Sequence, residues 1–113
     1  MGAEGAVVTE ESMFSVHRAK LAHEAAAHKM PVVYPFLLPV TDSGGLIAYA
    51  ANASDLHRHA AMYVDRILKG AKVGDLPVQQ PTTFELVVNM KTGKELGLSI
   101  PTNLIARTTD LVE

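Results

Sequence analysis

Ala6-Val7-Val8, a helical stretch over 13–29, then Pro31-Val32-Val33-Tyr34-Pro35: this succession decides the fold. Each apolar run is short, free of alternation and bounded by turn formers, which predicts a strand buried on both faces. Between them the Ala-rich segment places Phe14, Leu21, Ala22 and Ala25 on one helical face. The hydroxyl residues of Thr9-Glu10-Glu11-Ser12 suit a helix N-cap. His28 and Lys29 suit the negative end of the helix dipole, and Pro31 closes the element. Strand, helix of about four turns, strand is a βαβ unit, the building block of a parallel sheet.

The rest of the chain extends this unit. Residues 36–44 read as a connection, unusually apolar for a solvated loop, and Gly45-Leu46-Ile47-Ala48-Tyr49 as a third strand. Leu56, Ala60, Tyr63, Val64, Ile67 and Leu68 then recur at helical spacing. Asn52 with Asp55 three residues on resembles a capping box, and Gly70 stands where a left-handed C′ residue belongs. A polar Gly/Pro linker covers 70–82, and Thr83-Phe84-Glu85-Leu86-Val87-Val88 is a fourth strand. Asn89 caps a short helix through Leu96, stopped by Gly97, and the remainder reads as a tail. The expected class is α/β, with parallel-sheet βαβ elements and flanking helices.

Composition narrows the chemistry. With 113 residues the chain holds one domain with a modest core. Ten Lys and Arg against 12 Asp and Glu leave a formal charge of −2, which argues against a nucleic-acid binder. The absence of Cys excludes a disulfide scaffold, a Cys-ligated zinc site and a thiol nucleophile. No apolar run approaches the ~20 residues of a membrane helix, and the opening residues do not read as a secretory signal.

His17, His23, His28, His57 and His59 include no i,i+4 pair, so a helix-borne metal site is not expected. None of the serines sits in a Gly-x-Ser-x-Gly elbow, and Gly44-Gly45 lacks a phosphate-loop spacing. No cofactor is expected. What remains lies at the strand ends: Thr9-Glu10-Glu11, Tyr34-Pro35-Phe36 and Tyr49-Ala50-Ala51-Asn52. Ligands of open α/β sheets bind beyond the C-terminal ends of the strands, in clefts lined by aromatics and a few polar groups. Ordinary core packing is the competing reading for Tyr34, Phe36 and Tyr49.

Several stretches carry a resemblance to a known family. They are Gly44-Gly45-Leu46-Ile47-Ala48-Tyr49, Asp55-Leu56, Ala60-Ala61, Tyr63-Val64-Asp65-Arg66-Ile67-Leu68-Lys69-Gly70-Ala71-Lys72 and Asp75-Leu76-Pro77-Val78. Gln80-Pro81-Thr82, Phe84-Glu85-Leu86-Val87-Val88-Asn89, Lys91-Thr92 and Leu96-Gly97-Leu98-Ser99-Ile100-Pro101 continue them. Together they resemble the C-terminal third of ABC-transporter substrate-binding proteins of the aromatic-amino-acid type. The resemblance is specific over 44–101 and looser over 5–43. It implies a fragment of a two-lobed fold like the type I periplasmic binding proteins, which clamps ligand between lobes, docks on an ABC permease and does no catalysis.

By position, 5–43 corresponds to the last βαβ of the second lobe. Residues 44–82 correspond to a crossing strand and first-lobe helix, and 83–113 to the return strand, short helix and tail. The family is much longer and begins with an export signal. The expectation is therefore a truncated solute-binding domain, periplasmic by resemblance and cytoplasmic if the chain is the full gene product. Its ligand would be small, apolar or aromatic, possibly amino-acid-like, held by Glu11, Ser12, Tyr34, Phe36, Ser43, Tyr49 and Asn52. The apolar loop at Phe36-Leu37-Leu38-Pro39-Val40, where amino-acid binders often carry acidic and hydroxyl groups, argues against recognition of an α-amino group. Uncovered sheet edges and helix faces predict a homo-oligomer. The rival readings are a structural or interaction remnant without a ligand, and a small hydrolase-like or metal enzyme.

Overall fold

Strands β1 (Ala6–Val7), β2 (Val32–Tyr34) and β3 (Ile47–Ala51) lie side by side and parallel in the computed structural model, which describes residues 2–113. Ala6 stands beside Val32, Val7 beside Val33, and Val33 beside Ile47. The expected βαβ unit is therefore present, but β1 is exposed along its length because it is the edge strand of the sheet, so the burial on both faces expected of it is not found. Two further strands, β4 (Phe84–Asn89) and β5 (Asp110–Val112), complete a sheet of order β1-β2-β3-β4-β5 among the described residues. β4 and β5 are parallel, with Val88 beside Leu111. β3 and β4 run in opposite directions: the Asn89 amide donates to the Leu46 carbonyl and the Asn52 amide to the Thr83 carbonyl. The sheet is thus mixed, mostly parallel.

The chain divides into two compact units. The first comprises the residues up to Ala50 together with Glu85–Glu113; the second is Ala51–Phe84.

In the first unit the predicted long helix is two pieces, α1 (Ser12–Val16) and α2 (Arg18–Ala27). The break falls at His17, beside β-branched Val16, where the Arg18 guanidinium donates to the Ser15 carbonyl at 3.3 Å. Weak helix formers and a side-chain competitor for a backbone carbonyl together interrupt the ladder. Ala22 is buried, and Leu21 and Ala25 pack against Val32, Tyr34, Val40, Ala48 and Val87, the core of this unit. Each large apolar side chain buried there contributes roughly 1.5–3 kcal/mol.

The connection over 36–44 contains a helical turn, α3 (Leu38–Thr41), with Pro39 in its first turn, where its missing N–H costs nothing. Pro39 and Val40 are buried, which explains why this loop is so apolar. The third strand begins two residues later than predicted. After β4 comes α5 (Met90–Glu95), and the supposed tail supplies α6 (Thr102–Ile105) and β5.

The second unit holds α4 (Ala53–Leu68) and a 3-10 turn at Val73–Asp75. Asn52 caps α4, its side-chain oxygen accepting from the Asp55 amide at 2.9 Å. Gly70, at φ 98°, closes α4 as expected: the Ala71 amide reaches the Arg66 carbonyl and the Gly70 amide the Ile67 carbonyl. The Tyr63 hydroxyl donates to the Pro77 carbonyl and ties the linker to the helix.

The same closing motif ends α2, but with Lys29 at φ 51° in the glycine position. A side chain there costs about 1 kcal/mol. Lys29→Gly is therefore expected to raise stability by about 0.5–1 kcal/mol, less than the full strain because glycine loses more entropy on folding. Thermal unfolding checks it: a lower Tm for the variant contradicts the strain.

Candidate functional site

Because β1, β2 and β3 are parallel, their C-terminal ends share one edge of the sheet, and most of the candidate residues follow those ends. Glu11 is the residue before α1, exposed and making no side-chain cap, and Ser12 is the first residue of the helix, also exposed. Phe36 lies just past β2 and is half-buried. Tyr49 is on β3 with 53% of its surface exposed.

Tyr34 and Tyr49 are not brought together. Tyr34 stands beside Ala48 on the core face. Tyr49 is the next residue on β3, and successive strand residues point to opposite faces. Tyr34 is 1% exposed and belongs to the core, and burial pushes its phenol pKa up. A cleft wall that includes both rings, as the sequence reading had it, does not exist in the first unit. Asn52 falls in the second unit, where its side-chain oxygen is already engaged as the α4 cap.

Ser43 enters a polar cluster that the sequence reading did not single out. Its hydroxyl donates to Asp42 at 2.8 Å, and the Asp42 carboxylate accepts from Nε and Nη2 of Arg18, both at 3.3 Å. The cluster joins the start of α2 to the end of α3. Arg18 and Asp42 are 24 residues apart, so no local spacing could have revealed it.

The Ser43 hydroxyl above all holds the Asp42 carboxyl below the usual carboxylate range; desolvation opposes it, and the hydrogen bond and charge of the Arg18 guanidinium add to the lowering. A depressed folded pKa means that the unfolded chain takes up the proton first. Any stability from this group is complete above about pH 4 and is lost as pH falls through the folded value. Ser43→Ala is expected to raise the Asp42 pKa, as read by a carboxyl NMR titration. An unchanged Asp42 pKa in the variant contradicts the hydroxyl as the leading cause.

Apart from this cluster, an open apolar groove of about 290 Å³ runs beside α2, between Leu21, Ala25 and His28 on the helix and Met30, Val32 and Tyr34. Among the described residues no three His, Asp or Glu side chains gather as metal ligands. Nor is any helix long and apolar enough to cross a membrane among them.

Comparison with known proteins places this arrangement. The sequence model of the family described as "ABC transporter substrate binding protein" matches residues 3–112. No curated protein matches the chain. Among solved structures, a conserved domain protein from Vibrio cholerae is similar with a TM-score of 0.88 and 24% identity, over 96% of this chain and 36% of its own. An ABC domain in complex with L-Trp from Streptococcus pneumonia gives a TM-score of 0.85 and 24% identity, over 97% and 38%. A ligand-free, open substrate binding protein with adhesive properties from Clostridium difficile gives 0.64 and 23%, over 95% and 35%. At these identities the structures show the α/β fold. The chain spans little more than a third of the length of each. The family match covers nearly all of it: this chain belongs to the ABC transporter substrate-binding protein family.

Proposed function

We propose that the chain is a non-catalytic solute-binding portion of an ABC uptake system, and that it takes a small apolar or aromatic molecule at the C-terminal edge of β1–β3. The observation that carries this is Tyr49, a large ring left half in solvent on a strand whose neighbours Ala48 and Ala50 are buried. Phe36 adds a second ring beyond β2, and Glu11, Ser12 and Ser43 supply polar groups to orient the ligand. Tyr34 acts from the core, by holding β2 in place. Asn52, in the second unit and engaged as the α4 cap, is left out of this proposal.

Family membership favours docking on an ABC permease and an extracytoplasmic setting. It also favours the mapping of 5–43, 44–82 and 83–113 onto a second-lobe βαβ, a crossing strand with first-lobe helix, and a return strand with the closing elements. The division into two units supports that mapping. The similar pneumococcal structure holds L-Trp, which makes L-tryptophan the first ligand to try. The chain spans little more than a third of each matched structure, and self-association is the part of this reading that a native-mass measurement tests.

A thermal-shift series tests the binding reading. It uses L-tryptophan, indole, aromatic acids and an aliphatic amino acid. A ligand at 100 times its Kd stabilises the folded state by about 2.7 kcal/mol, roughly 10 °C in Tm for a domain of this size. No shift at millimolar concentration across the series contradicts it and leaves a remnant with an incomplete pocket.

A further inference from the structure

Tyr34 is 1% exposed, and its hydroxyl bonds to none of the described residues. Among those residues no side-chain nitrogen or oxygen is both sealed from solvent and without a partner. The hydroxyl therefore keeps the little surface that the residue has. Tyr34 lines two hollows in the first unit. The open groove beside α2 presents only carbon, so the hydroxyl belongs to the other, a narrow crevice between α2 and α5. Ala22, Ala26 and Leu96 are among its apolar walls, and Gly44 and Thr92 line it as well.

A hydroxyl withdrawn from bulk water into such a place, with no partner, costs more than a typical hydrogen bond returns. The polar groups around it are complementary to it without touching it. The Thr92 hydroxyl gives its one proton to the Gly44 carbonyl at 3.0 Å, which leaves an acceptor lone pair on each of these two oxygens. Tyr34 has a proton to give, and bonds to neither directly. About 10 Å³ of the crevice is free to a sphere of water's size, the room of a single molecule.

We propose that this crevice is a binding site for one long-lived water that bridges Tyr34, Gly44 and Thr92. The water accepts from the Tyr34 hydroxyl and donates to the Gly44 carbonyl and to the Thr92 oxygen. Three bonds are the usual complement of a buried water, and here they satisfy every polar group that lines the space. The bridge ties β2 to the turn before β3 and to α5, three elements far apart in the chain. An organic ligand does not fit the space. The site is therefore structural, and it stands apart from the strand-edge reading.

The experiment uses the full chain. Tyr34→Phe keeps the ring that meets Gly45 and removes only the hydroxyl. With a bridging water the variant loses a satisfied hydrogen bond, and its Tm is expected to fall by about 4 °C. Without one it sheds a desolvated group, and a Tm that rises or stays unchanged overturns the proposal. Thr92→Val removes a second partner of the water. It also breaks the direct bond to Gly44, so the informative quantity is the coupling between the two substitutions. In the Thr92→Val background, Tyr34→Phe is expected to lower Tm by less than half as much, although the two side chains share no direct bond. Equal falls in both backgrounds place the Tyr34 effect elsewhere and overturn the bridge. A crystal structure of the chain is expected to hold one ordered water about 3 Å from all three oxygens. Well-ordered density around them without such a peak overturns the proposal too. None of these results bears on the thermal-shift series, so the two proposals fail separately.

Discussion

Gly45→Ala is expected to lower stability by about 3 kcal/mol, roughly 12 °C in Tm, although it adds one methyl group. A Cβ at this position lies 2.8 Å from Cε2 of Tyr34, 2.9 Å from the Pro39 carbonyl oxygen and 3.1 Å from the Pro39 carbonyl carbon. Neither neighbour can yield cheaply. Tyr34 and Pro39 are among the most deeply buried side chains of the first unit, and the Pro39 carbonyl accepts from the Gly45 amide itself. The cost is steric, because Gly45 has no left-handed φ to maintain. Gly44 is the built-in control. It has φ 75° with open space around its Cβ position, so Gly44→Ala is expected to cost about 1 kcal/mol of backbone strain. Shortening Tyr34 to Leu in the Gly45→Ala background is expected to recover part of the coupling but not the clash with Pro39. A Gly45→Ala protein within 2 °C of the parent contradicts the close approach.

The second large effect is expected at the corner between β4 and α5. Asn89 is 5% exposed, and its side-chain oxygen accepts from the Thr92 amide at 3.0 Å. Its amide nitrogen lies 3.5 Å from the Val40 carbonyl, a weak bond at best. Thr92 is itself buried, and its hydroxyl donates to the Gly44 carbonyl at 3.0 Å. Asn89→Ala removes the cap and leaves a buried N–H without a partner, which costs about 2 kcal/mol. Asn89→Ser keeps an acceptor at the cap and is expected to cost less than half of that. Asn89→Asp keeps the acceptor too but sets a buried carboxylate near the Val40 carbonyl, and is expected to be at least as damaging as Ala. Chemical denaturation of the three variants gives the ranking. Equal stability for Ala and Ser contradicts the capping role.

Both corners show why parts of the fold were legible in the sequence and parts were not. Asn52 with Asp55, Gly70, and Asn89 before a short helix are local signals, and the structure has the caps and the closing glycine where the residues point. The βαβ unit was legible from two apolar runs flanking a helical stretch, although the burial expected of both runs holds for β2 and fails for β1, where Val7 is 77% exposed. β5 was not, because a three-residue strand has no period to read. Its place is fixed across 23 residues, by Thr109, whose hydroxyl and amide meet the backbone of Leu86. The break at His17 depends on where the Arg18 side chain lands, and the helical turn over 38–41 on Pro39 finding a buried first-turn position.

The candidate site divides in the same way. Parallel strands put the C-terminal ends of β1, β2 and β3 at one edge, and this much follows from strand order; Glu11, Ser12, Phe36 and Tyr49 are the residues we propose act there. Facing does not follow from strand order. Tyr34 and Tyr49 were grouped by their positions in two strands, yet the register beside Ala48 sends them to opposite faces. The Arg18–Asp42–Ser43 cluster exists only once α2 and α3 have packed.

The measurement closest to the central claim is residue-resolved: amide chemical-shift mapping of the isotopically labelled chain titrated with the ligand that gives the largest thermal shift. The account predicts saturable shifts concentrated at Glu11, Ser12, Phe36, Ser43 and Tyr49, and their loss in Tyr49→Ala, an exposed position whose truncation leaves the core intact. Shifts gathered instead at Leu21, Ala25 and Val32 place the ligand in the groove beside α2 and contradict the strand-edge site. Shifts that do not saturate contradict specific binding altogether.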